Sequence, residues 1–428
     1  MGLLKILCLH IPISSGTIKQ REKTAIQLSL RDENFIQKIG QFYNQPDLSD
    51  VKLKVGSTTY FGHRFVLAKS SDVLGTMLYS NNWIQSSLPE ITLEETEECQ
   101  KYFDRFLRYL YTAEVKIHMD SAVAILLLAD KYGVASLKNL CTRFMVEHAS
   151  SPLISNALNW YSWSKVFNLK ELMYQCLKTI AWNAEKFLTS SDWQKMDMDF
   201  VSQLLKNSDI VIQNEYNLFK ALLHWLESEE HIEHFHAYAK ELLPLIRFPQ
   251  MQAKELLLVE QNDLYQDKEL RPLLKKLTGK AYRFHVLCPH QTELVVSFAQ
   301  DFYQPRNYLD LAVDNVHIQR NMRDAAEIDV KIYGGLAFLG SYNGDWKVYY
   351  KKYREAWVVN TQCYKTASQV GAAQVQCALI ITNKDDQVLQ VKESEVTVSA
   401  RGAHLSVHAV LNMDLSKSMA VLFKPIPK

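Results

Sequence analysis

Between Asp50 and Val55 the chain alternates strictly, with apolar Val51, Leu53 and Val55 set between charged Asp50, Lys52 and Lys54. That is the period of a strand with one face buried. Gly56-Ser57 interrupts the run and Thr59-Tyr60-Phe61 resumes it, so the pattern predicts a β-hairpin. A short strand is expected from Leu88 to Leu93. The period then changes: Cys99, Tyr102, Phe103, Phe106 and Leu110 recur at helical spacing, and four acids among Glu94 to Glu98 sit where the helix dipole favours them. Ser121 to Tyr132 and Ser136 to Glu147 predict two more helices, the first capped by Asp120 or Ser121. Upstream of the hairpin, Phe35, Ile36, Ile39, Phe42 and Tyr43 form an apolar helical stripe that stops at Asn44-Gln45-Pro46-Asp47.

From Ser150 to about Gly279 the pattern is helical throughout and rich in tryptophan. Trp160, Trp163 and Phe167 share one face; so do Leu172, Cys176, Leu177 and Ile180, and again Leu218, Ala221, Leu222 and Trp225. Aromatic stripes of this kind read as core rather than as a ligand box. After Lys280 the segments become short, β-branched and aromatic: Glu293–Phe298, Ile328–Tyr333, Trp346–Tyr350, Val375–Ile381, Val396–Val398 and Met419–Phe423. Turn residues separate them, and the expectation is an antiparallel β-sandwich. Gly334-Gly335 occurs once and no repeat of roughly 50 residues is found, so a kelch propeller is not expected. The resulting scheme is multidomain α+β: an N-terminal segment 1–30, an α+β domain 31–149, a helical domain 150–280 and a β-sandwich 281–428.

Composition agrees with folded domains, at 47% hydrophobic and 22% charged residues. A length of 428 residues suits about three domains of roughly 150 residues. The formal net charge of +1, without a basic stripe, makes nucleic acid or an anionic membrane a poor candidate partner. The seven cysteines are scattered without a Cys-x-x-Cys pair, which suits buried thiols in a reducing compartment. Met1 to Ile13 is apolar, but Lys5 and His10 interrupt it and no small-residue cleavage site follows. No run elsewhere approaches the roughly 18 apolar residues of a membrane span. The chain therefore reads as cytoplasmic or nuclear, with secretion disfavoured.

Catalytic and metal chemistry find no constellation. His231, His234 and His236 lie at helical spacing but lack His-Glu-x-x-His order, so a solvated loop is expected there. No Gly-Lys-Ser/Thr follows Gly334-Gly335, and no nucleophile adjoins His404 and His408. No catalytic residue, metal or cofactor is expected.

Phe61-Gly62-His63-Arg64-Phe65-Val66-Leu67-Ala68 and Tyr111-Thr112-Ala113 resemble the marks of the BTB/POZ domain. Ile180–Asn183, Leu218–Trp225 and Ile246–Pro249 resemble those of the BACK domain. The order BTB, BACK, then a β-rich tail without kelch repeats is similar to the galectin-3-binding-protein-like group, which includes the BTB/POZ domain-containing protein 17 type; a TRAF-like sandwich is the form expected for the tail. The resemblance implies a homodimer, with Asp50 and Arg64 meeting in a charged pocket at the interface and Phe35 and Ile39 on the upstream helix packing on the partner. It also implies cullin-3 binding through Trp83-Ile84-Gln85, where related adaptors carry a large apolar residue, any residue, then Glu. Gln85 departs from that pattern. The expected function is a client-recruiting adaptor of a cullin-3 ubiquitin ligase. A self-associating scaffold or transcriptional cofactor, and a secreted glycoprotein, are the alternatives.

Overall fold

The computed structural model describes residues 38–149, 154–287, 298–317, 327–333, 344–353, 356–366, 373–398, 403–410 and 415–426. Two compact units emerge, one of residues 1–95 with 104–115 and one of residues 96–103 with 116–428.

The first unit is built on a small mixed sheet. Strand β1 (Val51–Val55) is central, antiparallel to β2 (Thr58–Gly62) and parallel to β3 (Glu90–Leu93). Burial along β1 alternates as its sequence does, with Val51, Leu53 and Val55 buried and Lys52 and Lys54 exposed. Gly56 turns the hairpin at φ 56°, a left-handed conformation that glycine adopts without a Cβ penalty. Gly62 sits tightly, since an added Cβ would stand 3.0 Å from Leu67 Cδ1 and 3.1 Å from Val51 Cγ1 and those side chains would have to give way. Two short helices follow, Arg64–Ser70 and Asp72–Tyr79, and Ser71 between them caps the second by accepting from the Leu74 N–H at 3.1 Å. A single 3₁₀ turn, Ile84–Ser87, leads into β3.

The helix over Glu97–Thr112 starts as its acids suggest, with Glu97 and Glu98 in the first turn, and Thr96 Oγ1 accepts from the Cys99 N–H. It ends where Ala113 turns left-handed at φ 56° and its N–H closes on the Tyr109 carbonyl at 2.8 Å. The two expected helices appear as Ala122–Lys131 and Ala135–His148. Neither proposed cap is used: Ser121 Oγ exchanges hydrogen bonds with His118, and Asp120 accepts from the Tyr102 hydroxyl at 2.8 Å.

Helices then run from Ile154 to Leu287, among them Ile154–Val166, Lys170–Trp182, Ala184–Phe187, Met198–Lys206, Glu215–Leu226, Phe235–Leu242, Ala253–Gln261 and Arg271–Leu287. Three of the tryptophans are core, while Trp163 and Trp182 are half-buried. Trp160, Trp193 and Trp225 are at most 1% exposed, and the last two indoles donate to the carbonyls of Ala221 and Met196.

Inside this helical layer lies a two-residue strand, β4 (Val211–Ile212), which pairs in parallel with β5 (Asn307–Tyr308) from beyond the helices. Eight strands follow: β6 (Ala312–His317), β7 (Glu327–Tyr333), β8 (Gly344–Tyr353), β9 (Ala356–Thr366), β10 (Ala373–Asn383), β11 (Val388–Val398), β12 (Ala403–Val410) and β13 (Ser416–Ile426). They form two antiparallel four-stranded sheets, ordered β11-β10-β13-β6 and β12-β9-β8-β7. Strands β6 and β9 were not anticipated, because Asn360, Thr361 and Gln362 break up any apolar run in β9. One face of the first sheet, Ala378, Ile380, Ala420 and Leu422, forms a core with Val211 of the helical layer, with Trp182 packed against it. Its other face, Cys377, Leu379, Ile381, Met419, Val421 and Phe423, is equally buried. The sheet is thus covered on both sides, which explains its continuous apolar runs.

Candidate protein-interaction surface

Asp50 lies just before β1 and Arg64 opens the helix after β2, so the hairpin brings them together. Asp50 Oδ1 accepts the backbone N–H of Arg64 at 2.7 Å, neutralising a free donor at the helix start. The Arg64 side chain donates from Nε to the Asp50 carbonyl at 3.5 Å and from its two Nη atoms to the carbonyls of Leu78 at 3.1 Å, Ser86 at 2.9 Å and Leu88 at 2.5 Å. Arg64 therefore ties its helix to the segment that carries Trp83, Ile84 and Gln85.

That segment presents apolar surface. Trp83 is 43% exposed and Ile84 77%, while Gln85 is half-buried in the 3₁₀ turn. Phe65, Tyr79 and Leu88 add exposed apolar surface in the same unit. Ile39, in the helical residues 38–40, is half-buried; Phe35 lies outside the described residues.

His63 braces the loop before β1. Its ring Nε2 donates to the Asp47 carbonyl and its Nδ1 accepts from the Tyr111 hydroxyl, both at 3.0 Å, and the same hydroxyl accepts from the His63 N–H. Burial pushes the Tyr111 hydroxyl up to about 12, so it remains a neutral donor.

The three histidines of the expected loop are not solvated alike. His231 is buried, stacked on Trp225 with centroids 3.8 Å apart and bonded to the Gln194 carbonyl, and His236 pairs with Asp267 at 3.0 Å. They are held separately, and no cluster of three or more metal-ligating side chains occurs among the described residues. Gly334 and Gly335 lie outside the described residues; His404 and His408 stand opposite Gln362 and Val358 in the β12–β9 register.

A buried polar network escaped sequence reasoning altogether. Glu215, at the first position of the helix Glu215–Leu226, is fully buried and accepts from Arg306 Nε at 3.2 Å, from the Tyr308 hydroxyl at 2.5 Å and from the Arg247 N–H at 2.7 Å. Burial lowers the Arg247 guanidinium to about 10, with Arg306 adding to the effect. Burial raises the Tyr308 hydroxyl well above its ordinary range, and the Glu215 carboxylate adds to it. Lys424, buried on β13, donates to Asn307 Oδ1 at 2.8 Å and Glu393 Oε1 at 2.6 Å. Arg247 was visible only as part of an Ile-Arg-Phe-Pro mark; no local signal marks Arg306.

Comparison with known proteins fits this layout. The BTB/POZ domain model matches residues 39–149, and the model described as BTB And C-terminal Kelch, or BACK, matches residues 157–261. The chain is 29% identical over 280 residues to human BTB/POZ domain-containing protein 17, covering 64% of this chain and 56% of that protein. It is 28% identical over 256 residues to the Xenopus laevis protein of the same name, covering 58% of this chain and 50% of the relative. To galectin-3-binding protein of Mesocricetus auratus it is 24% identical over 367 residues, covering 83% of this chain and 61% of the relative. The chain spans about half the length of the curated relatives it matches first. Residues 39–149 are a BTB/POZ domain and residues 157–261 a BACK domain, both protein-interaction modules, and the chain is similar to the group that holds BTB/POZ domain-containing protein 17 and galectin-3-binding protein.

Proposed function

We propose that this chain is a homodimeric, intracellular adaptor that holds a client protein to a cullin-3 ubiquitin ligase through its BTB and BACK domains. The observation that carries the reading is the exposed Trp83-Ile84 pair on a turn fastened by Arg64. A rigid indole buries large area at small entropic cost, and such anchors dominate interface energies. The adaptor supplies effective concentration and no bond chemistry. The tail sandwich holds the client, and Asp50, Arg64, Phe35 and Ile39 lie at the dimer interface. Four buried free thiols, Cys99, Cys141, Cys176 and Cys377, support a reducing compartment. No helix among the described residues is long and apolar enough to cross a membrane.

Calorimetry with the cullin-3 N-terminal region tests the reading. Trp83→Ala is expected to cost more than about 2 kcal/mol of binding, while Gln85→Glu strengthens it by supplying a charge-assisted acceptor. Absence of binding by the unmodified chain overturns the adaptor reading. A secreted glycoprotein is the second reading, favoured by the match to galectin-3-binding protein over 83% of this chain. Sensitivity of the mature chain to glycosidase would select it.

A further inference from the structure

The segment from Phe298 to Leu311 lies beyond the matched BACK residues, which end at 261, yet it is seated in the helical layer as a bound peptide would be. Gln250 Nε2 donates to the Tyr303 carbonyl at 2.5 Å and Arg247 Nη1 to the Gln304 carbonyl at 2.9 Å. Backbone pairing follows, from the Asn307 N–H to the Ile210 carbonyl at 3.2 Å and from the Asp310 N–H to the Gln213 carbonyl at 3.1 Å. This is strand addition to β4, with side-chain pockets between the main-chain bonds.

The deepest pocket is shaped for arginine. Arg306 is 1% exposed, and its guanidinium meets one carboxylate and three carbonyls: Glu215 Oε2, Asn207 O, Leu205 O at 2.6 Å and Leu245 O at 3.1 Å. A lysine ammonium, with three donors on a point charge, cannot span four acceptors spread in this way. Two residues on, the Tyr308 hydroxyl donates to the same Glu215 oxygen, so one buried carboxylate reads both side chains. Upstream, Phe298 and Tyr303 pack edge-on or tilted against Phe284 with centroids 5.0 and 5.5 Å away.

We propose that the helical domain contains a peptide-recognition cleft specific for an extended segment with arginine two residues before tyrosine, and that residues 298–311 of this same chain occupy it in cis. The cleft accepts backbone through β4, Arg247 and Gln250, and selects side chains through Glu215 and the carbonyls of residues 205, 207 and 245. Its occupant leads directly into β6, so recognition of the segment seats the tail sandwich on the helices. The inference is independent of any cullin.

The test uses the full-length chain and a fluorescent synthetic peptide of residues 298–311, with binding read by anisotropy. In the unmodified chain the cleft is filled, and the peptide binds weakly. Arg306→Ala empties the pocket, so that chain is expected to bind the peptide at least tenfold more tightly, while a peptide carrying the same Arg306→Ala change loses that gain. Should Arg306→Ala unfold by circular dichroism, Arg306→Lys, which retains a cation but not the fork, is read in its place, with the same direction expected. Equal binding by the unmodified and vacated chains, or binding indifferent to arginine in the peptide, overturns the proposal.

Discussion

Two of the acidic–arginine pairs among the described residues differ in almost every physical respect. Asp50 and Arg64 are 14 residues apart, half in solvent, and joined only through main-chain groups, the Arg64 N–H and the Asp50 carbonyl. Glu215 and Arg306 are 91 residues apart, at most 1% exposed, and joined side chain to side chain. In the first, charge terminates a helix and positions a loop, and water still shares the load. In the second, each ion has been stripped of water and has only its protein partners to replace it. The lesson is that burial, rather than the presence of opposite charges, decides what a pair is worth.

The sharpest way to break this comparison is to delete one partner of the buried pair. Glu215→Ala leaves Arg306 charged and buried beside Arg247, and strands the Tyr308 hydroxyl and the Arg247 N–H. The expected loss is about 3–5 kcal/mol, seen as a lower midpoint in urea unfolding of the full chain. A loss under about 1 kcal/mol would place the pair with surface ion pairs.

A double-mutant cycle then measures the link itself. Glu215→Ala combined with Arg306→Ala is expected to cost less than the two single changes added together, with a coupling of about 1–3 kcal/mol, because the double variant no longer buries Arg306 without its carboxylate. Additive losses would mean that each residue acts through its own neighbours.

Arg64→Ala comes next in size. It frees the carbonyls of Asp50, Leu78, Ser86 and Leu88, of which Asp50 and Leu88 lie on exposed residues and can rehydrate while Leu78 is buried, so the expected loss of stability is about 1–2 kcal/mol. Because two of those carbonyls belong to Ser86 and Leu88, the change also loosens the turn that presents Trp83. A shift of Trp83 emission, read in a chain whose other tryptophans are replaced by phenylalanine, would accompany it.

The contrast also explains what the sequence revealed. Strand β1 was legible because its burial alternates with its polarity, and the helix Glu97–Thr112 because its apolar positions recur with the helical period. Trp83 and Arg64 were legible through resemblance, whereas the direction of the Arg64 guanidinium depends on carbonyls up to 24 residues away. Glu215 reads locally as an acid at a helix start, a role that would leave it exposed. Nothing in its neighbourhood announces an arginine delivered from residue 306, since that contact exists only after β5 has paired with β4. Strands β10 and β13 were recognised as apolar runs, but that both faces are buried follows from tertiary packing alone.

Asp50→Ala closes the series with the smallest effect. The carboxylate lies at a helix start and accepts one N–H, which is worth about 0.3–1 kcal/mol at an exposed site. Its donor is main chain and survives any change at position 64, so within a monomer Asp50→Ala and Arg64→Ala are expected to add, with coupling under about 0.5 kcal/mol. Measuring the cycle at two protein concentrations makes it decisive for the dimer as well. If Asp50 meets Arg64 of a second copy, coupling is absent from the dilute monomer and appears once self-association is populated. Coupling already present in the monomer would mean that carboxylate and guanidinium meet within one chain, and the distinction between the two pairs would rest on burial alone.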